Sequence, residues 1–317
     1  MPKLLDPDEM PGWLASLWPS ANRAPFIIAG VNDDDCSVLK WDDQLLVITT
    51  DYLNARPIAA QLGIGTPADI GRLVVGANLS DLCGSGAEPR ALLVAAMMED
   101  GATEEEFKNL MGGVREEAAR WGLAVIGGDT KLGPGRAVLG VAIGCAPTTA
   151  SLFLKNAGRP GQLLWCSGPL GSCSAAVAGF RRPDMTEEWR QWAQAAILTP
   201  PLPMEKSRLL SAECLGAGGI DVSDGLGADL HKMCESSAIG AVVDANSIPV
   251  DPHVRELALK LGVEPWAFAF AGGGDFQFLA SADRTAADKL NWIGFHLIGE
   301  LTAERDLSLR VGNRVVG

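Results

Sequence analysis

Aspartates dominate the residues of this chain that could do chemistry, and their positions follow a pattern. Asp51 closes the apolar run Leu45-Leu-Val-Ile-Thr-Thr50, Asp129 follows Val125-Ile-Gly-Gly128, and Asp221 and Asp224 follow Gly218-Gly-Ile220. Asp33-Asp34-Asp35 precedes a further apolar run, and Asp81 ends Asn78-Leu-Ser-Asp81 near a predicted helix end. Carboxylates at the ends of buried strands lie where open α/β sheets receive ligands. If several converge, each raises the pKa of the others unless a cation sits between them. Oxygen donors without His or Cys suit Mg²⁺, or else Mn²⁺ or Ca²⁺, and Mg²⁺ completes its shell with water and phosphate. A nucleotide is the implied ligand. Taken one at a time, a strand-end aspartate is equally a turn former or helix N-cap, which Asp224-Gly and Asp129-Thr fit. Asp42-Asp43 reads as a solvated turn.

Glycine is the second ingredient. Gly127-Gly128, Gly168 to Gly171, Gly216 to Gly219 and Gly272-Gly-Gly274 could let backbone approach a ligand and aim N–H groups at phosphate, although each is weak alone. No G-x-x-x-x-G-K-[ST] loop, kinase catalytic loop or G-x-S-x-G elbow occurs. His231, His253 and His296 sit in no triad-like context and read as packing or surface residues.

The elements that must position these groups are short. Residues 38–41 and 44–50 form a predicted strand pair around the Asp42-Asp43 turn. Residues 67–82 read as a helix opened by Pro67, residues 91–98 as a strand, and residues 103–121 as an amphipathic helix with a Thr103/Glu106 capping box. Strands follow at 123–126 and 137–143. A boundary falls near 146–160, giving domains 1–148 and 149–317, both mixing α and β. The second half adds a strand at 162–166, helices near 186–197 and up to Leu215, and strands at 240–243, 268–271 and 296–299. Residues 1–24 read as an irregular arm or short helix.

The chain of 317 residues is 47% hydrophobic, enough for a substantial core. Its 39 acidic and 26 basic residues leave a net charge of −13, which argues against a nucleic-acid partner. Seven scattered cysteines form no C-x-x-C pair, so zinc or a disulfide framework is not expected and a reducing cytoplasm is. No run of about 18 apolar residues predicts a membrane span.

Thr49-Thr-Asp51, Asn78-Leu-Ser-Asp81 with Gly86-Ala-Glu-Pro89, Gly127-Gly-Asp-Thr130, Arg159-Pro-Gly161, Ile220-Asp-Val-Ser-Asp-Gly-Leu226 and Gly272-Gly-Gly-Asp275 occur in one order over roughly residues 30–300. In these motifs the chain resembles the thiamine-monophosphate kinase family, within the superfamily of aminoimidazole ribonucleotide synthetase. The resemblance implies a two-domain α/β fold, a homodimer formed by the N-terminal sheets, and ATP with Mg²⁺ in a cleft between domains. It assigns metal ligation to Asp35, Thr49, Thr50, Asp51, Asp81, Asp129, Asp221 and Asp224. Nucleotide contacts fall on Gly128, Asp129, Lys155 and Ser223, with Lys155 standing where the family has Arg. Catalytic roles fall on Asp51, Asp81, Asp129, Asp224 and Lys131, and substrate contacts on Ile58, Gly274 and Asp275.

The acceptor side departs from the family pattern. Ile58 stands in place of a His, Thr130-Lys131-Leu132 in place of Thr-Thr-Arg, Ser172 near a lost Asp, and Gly274-Asp275-Phe276-Gln277 in place of Glu-Asp-Tyr-Glu. The family's late C-terminal aromatic is missing. The leading expectation is ATP- and Mg²⁺-dependent phosphoryl transfer to a small, phosphorylated metabolite with thiamine recognition lost. The alternatives are a synthetase that phosphorylates an amide or carboxylate oxygen, and a nucleotide-binding protein without catalysis.

Overall fold

In a computed structural model, residues 10–19, 23–53, 57–148, 150–312 and 314–316 are described. Alternation along the first half builds a six-stranded sheet from β1 (Ile27–Ala29), β2 (Ser37–Trp41), β3 (Gln44–Leu53), β4 (Glu88–Glu99), β5 (Ala124–Gly133) and β6 (Ala137–Pro147). Their spatial order is β1-β2-β3-β6-β4-β5. Four helices accompany them: α1 (Met10–Leu17), α2 (Ile58–Leu62), α3 (Pro67–Ser85) and α4 (Glu104–Arg120).

Val38, Leu45, Val47, Leu92, Val94, Ala96, Val138 and Ala142 point to one face of the sheet, as the period of two requires. There they meet Val74, Val75, Leu79 and Leu82 of α3 and Leu110 and Val114 of α4. β4 and β5 run parallel, which demands a crossover, and α4 supplies it. Thr66 with Asp69, and Thr103 with Glu106, complete capping boxes at the starts of α3 and α4; each such cap stabilises its helix by about 1 kcal/mol. β5 is an outer strand of this sheet, and nine of its ten residues are exposed.

The second half forms a seven-stranded sheet in the order β13-β12-β9-β11-β7-β10-β8. Its strands are β7 (Leu163–Cys166), β8 (Gly219–Val222), β9 (Gly240–Asp244), β10 (Gln277–Ala282), β11 (His296–Thr302), β12 (Leu307–Val311) and β13 (Arg314–Val316). The helices are α5 (Ser172–Gly179), α6 (Glu187–Leu198), α7 (Met204–Ala212), α8 (Leu226–Ser237), α9 (Pro252–Leu261), α10 (Ala267–Phe270) and α11 (Ala287–Ile293). β7, β8 and β10 are buried at every position, because helices cover both faces. Leu226, Leu230 and Met233 of α8 pack on one face, while Leu210 of α7 and Leu290 of α11 pack on the other with Trp165 and Phe278.

One expected strand is a helix. Residues 268–271 fall in and after α10, where Phe268 and Ala269 are both buried although adjacent. Trp266 and Phe270, four residues apart, meet edge to face with centroids 6.1 Å apart. The Ala-Phe alternation there is short enough to satisfy either period, and tertiary burial selects the helix. The expected N-terminal arm contains α1, and its residues 1–9 and 20–22 lie outside the described ones.

Candidate active site

The two sheets meet along α3. β8 is the edge strand of the second sheet, and α3 lies against it so closely that a Cβ on Gly84 would stand 2.7 Å from the Asp221 backbone nitrogen. Only a residue without a side chain permits that approach. A cavity of about 470 Å³ opens beside this seam. From the first domain Asp35, Thr50, Asp51 and Asp81 line it; from the second, Asp221, Ser223, Asp224, Lys232, Gly274 and Phe276.

The motif Asn78-Leu-Ser-Asp81 explains how one helix organises much of this. Asn78 is fully buried; its Oδ1 accepts from the Asp51 N–H at 3.1 Å, and its Nδ2 donates to the Val74 carbonyl at 2.8 Å. Ser80 Oγ donates across the domain seam to Asp221 at 2.6 Å. Asp81 accepts from Thr49 Oγ1 at 2.5 Å. Thr50 Oγ1 donates to the Gly140 carbonyl at 3.0 Å. Asp81 sits in the last turns of α3, near the helix end as expected, and Asp51 lies two residues before the end of β3.

The aspartate triplet separates into three roles. Asp33 pairs with Arg23. Asp34 accepts the N–H groups of Asp35, Cys36 and Lys155, and burial pushes its carboxyl up to about 6 despite those bonds. Asp35 is left to face the cavity.

The electrostatics are those of an anionic site short of cations. Burial raises Asp81 well above the usual carboxylate range, with Asp221 adding to the effect. Burial and then Asp35 push Asp221 up to about 8, against the opposing Ser80 bond. Asp51 is raised by burial and by Asp224. Among the described residues no three His, Cys, Asp or Glu side chains are gathered closely enough to enclose an ion by themselves.

Two groups at the site, Lys232 and Asp229, escaped the sequence reading, and a third, Phe276, figures there only as the residue standing where the family has Tyr. Lys232 donates to Asp224 at 2.5 Å and Asp229 at 2.9 Å. Burial would lower its pKa, but those two carboxylates outweigh it and raise it. The i,i+3 spacing of Asp229 and Lys232 on α8 was the available signal. Phe276, at φ 50°, lines the cavity from a left-handed backbone conformation that costs on the order of 1 kcal/mol or more. Nothing in the sequence announces that torsion. Asp229 is also hidden: its Oδ2 accepts the Asp224 and Gly225 N–H groups at 2.9 and 3.0 Å.

The profile for AIR synthase related protein, N-terminal domain, matches residues 33–146, and that for the C-terminal domain matches residues 159–312. The thiamine-monophosphate kinase of Corynebacterium glutamicum is 30% identical over 286 residues, covering 87% of this chain and 83% of that protein. The chain belongs to the thiamine-monophosphate kinase family. The family member from Pyrococcus abyssi is 25% identical over 283 residues, 89% of this chain and 86% of its own. Among solved structures, AaThiL complexed with AMPPCP and TMP has a TM-score of 0.81 at 18% identity, with 99% of each chain covered. Like the thiamine-monophosphate kinases it resembles, the protein is an ATP-dependent kinase with the two-domain AIR synthase fold.

Several residues that the family pattern singles out do not line the cavity of a single chain. Gly128, Asp129 and Lys131 lie on β5. Asp51 pairs with Gly140, Gly140 with Val94, and Val94 with Gly128. Three strand spacings of about 4.8 Å therefore separate Asp51 from that region, roughly 14 Å. Asp129 and Lys131 are exposed and pair with each other at 3.4 Å. Lys155 is buried beside the cavity, with its Nζ donating to Asp35 at 3.1 Å. Ile58 opens α2, beside residues 54–56, which lie outside the described ones.

Around residue 275 the chain alternates between two spaces. Gly274 and Phe276 face the carboxylate cavity, while Asp275 and Gln277 face a separate cavity of about 200 Å³ behind it. Asp275 accepts the Gly171 and Cys173 N–H groups at the start of α5, at 2.6 and 3.0 Å. Burial raises its pKa and those bonds oppose the rise. Gly216 and Gly219 face Phe153 instead of a ligand.

Proposed function

We propose that the cavity binds ATP with Mg²⁺ and that its γ-phosphoryl group passes to a small metabolite which already carries a phosphate. The observation that carries this reading is the convergence of Asp35, Asp51, Asp81, Asp221 and Asp224, from two domains, on one space. Buried carboxylates with raised pKa values are unstable neighbours unless cations neutralise them. Mg²⁺ held there would screen the nucleotide phosphates and the charge that spreads over the transferring group.

The rest of the chemistry belongs to positioning. An acceptor phosphate oxygen attacks the γ-phosphorus, the bond from that phosphorus to the β–γ bridging oxygen breaks, and its electron pair leaves with ADP. The acceptor oxygen is already anionic, so no general base is needed. Among the described residues no histidine lines the cavity, in keeping with that. Asn78, by holding the Asp51 backbone, and Ser80, by holding Asp221, fix the carboxylates against which the phosphates dock. Gly274 presents no side chain to the acceptor and Asp275 is turned towards α5. The acceptor side is thus bounded by Phe276, and we read the preferred acceptor as a phosphorylated compound other than thiamine monophosphate.

Asp129 and Lys131 enter through a second copy of the chain. β5 exposes Val125, Ile126 and Leu132, and the second face of the sheet carries the partly exposed apolar residues Leu46, Ile48, Leu93, Met97, Leu139, Val141 and Ile143. A homodimer that pairs these sheets covers that surface and carries Asp129 and Lys131 towards the partner's cavity. All seven cysteines are free, which suits a cytoplasmic protein.

The test is a screen for ADP release with Mg²⁺ across phosphorylated metabolites, with thiamine monophosphate included. A phosphorylated acceptor should give ADP and a doubly phosphorylated product without free phosphate. Stoichiometric free phosphate would replace the kinase reading with a synthetase one. Efficient turnover of thiamine monophosphate would refute the altered acceptor preference.

A further inference from the structure

Five carboxylates line the cavity, and among the described residues Lys232 is the one cationic side chain that joins them there. Lys155 is 8% exposed and its ammonium donates to Asp35. Lys131 stands on β5 beside Asp129. The first amides of the turn into α8 are taken as well, since the Asp224 and Gly225 N–H groups both donate to Asp229 Oδ2. Among the described residues that line this space, a polyphosphate entering it therefore meets one cationic side chain, Lys232.

Lys232 is held for that task from one side. An ammonium has three N–H donors, and here one goes to Asp229 Oδ1 and one to Asp224 Oδ2. The two partners differ: the Asp229 side chain is 1% exposed, whereas that of Asp224 is 64% exposed. Asp229 is anchored by two backbone amides and cannot leave. Asp224 is one of the carboxylates available to a divalent cation, and such a cation competes for it directly.

We propose that Lys232 donates to an oxygen of the terminal phosphate of the bound nucleotide, with Asp229 as the positioning residue that aims it. This rests on the reading of the cavity as an ATP site. The ammonium then distinguishes ATP from ADP, because its partner is the phosphate that ADP lacks. Lys232 is a catalytic residue in this account and Asp229 acts through it.

The experiment is calorimetric titration of the full chain with ATP and with ADP, each with Mg²⁺, comparing wild type, Lys232→Met and Lys232→Arg. A charge-assisted hydrogen bond is worth enough that Lys232→Met should weaken ATP about 10- to 100-fold while ADP moves less than about threefold. Lys232→Arg, which keeps the charge, should recover most of the loss. If Lys232 only braces the loop, Lys232→Met weakens both nucleotides equally or neither, and the proposal fails. If Lys232→Met does not fold, Asp229→Asn asks the same question, since its amide oxygen can still accept the loop N–H groups while releasing the ammonium. Selective loss of ATP affinity supports the proposal, and unchanged discrimination overturns it. Wild type that binds neither nucleotide overturns the ATP reading itself, which is a different failure.

Discussion

Replacing Asp221 by asparagine should make the metal-free protein more stable at neutral and alkaline pH while removing its response to Mg²⁺. Asp221 is 4% exposed, and its carboxyl is pushed from an ordinary 3.8 to about 8, chiefly by burial. Below pH 4 both folded and unfolded chains keep the proton, and ionisation costs nothing. Between the two values the folded chain holds a proton that the unfolded chain has released, so stability falls as pH rises. At about 1.4 kcal/mol per pH unit, the interval from pH 5 to 8 amounts to roughly 4 kcal/mol. For a chain of this size that is about 6 °C in Tm. Asparagine carries no such burden, and its Oδ1 can still accept from Ser80. Thermal unfolding in EDTA, followed by circular dichroism from pH 5 to 8, should give a falling Tm for wild type and a much flatter one for Asp221→Asn. Excess Mg²⁺ should raise the wild-type Tm at pH 8 and leave the variant nearly unmoved. Parallel pH slopes for the two proteins, or a variant less stable than wild type at pH 8, would show that the buried carboxylate is not the source of the strain.

Asp51→Ala and Asp129→Ala should each abolish ADP formation, yet subunits mixed after separate purification should regain about a quarter of wild-type activity, because half the twofold dimers then hold one intact site; no recovery after verified exchange would place both residues in one chain's site. Asn78→Ala should strand the Asp51 N–H and lower stability by about 2 kcal/mol, read as a lower urea midpoint at constant slope. An unchanged midpoint would mean that water replaces the amide without cost.

Much of this arrangement could be read from residue order. The alternation at 44–50 and 91–98, the capping boxes and the Gly-Asp punctuation are local signals, and the fold follows them. The aspartates were also legible as a group, because oxygen donors recurring beside apolar runs have few other uses. What sequence could not supply was distance. Asp129 shares its motif style with Asp51, yet two strands, β6 and β4, intervene, and strand order is set by the α4 crossover instead of by any motif. The φ of Phe276 is imposed by its neighbours' contacts, and its side chain gives no hint of it. Lys232 was passed over because a lysine three residues after an aspartate on a helix is usually a surface ion pair. Only the buried anchor at Asp229 makes it otherwise.

Ser80 and Asp81 are consecutive on α3, one bonded to a carboxylate of the second domain and the other to a threonine of the first. Successive residues on a helix point about 100° apart. A roll of α3 about its own axis would therefore carry one bond away from the seam while driving the other into it. The angle of α3 is thus one coordinate on which the setting of the two domains depends, alongside the bonds from Lys155 to Asp34 and Asp35 and from Ser207 to the Cys83 carbonyl. Asp81 and Asp221, the carboxylates that those two bonds hold, both line the cavity, so a cation seated between them would bear on the same turn of helix that joins the halves.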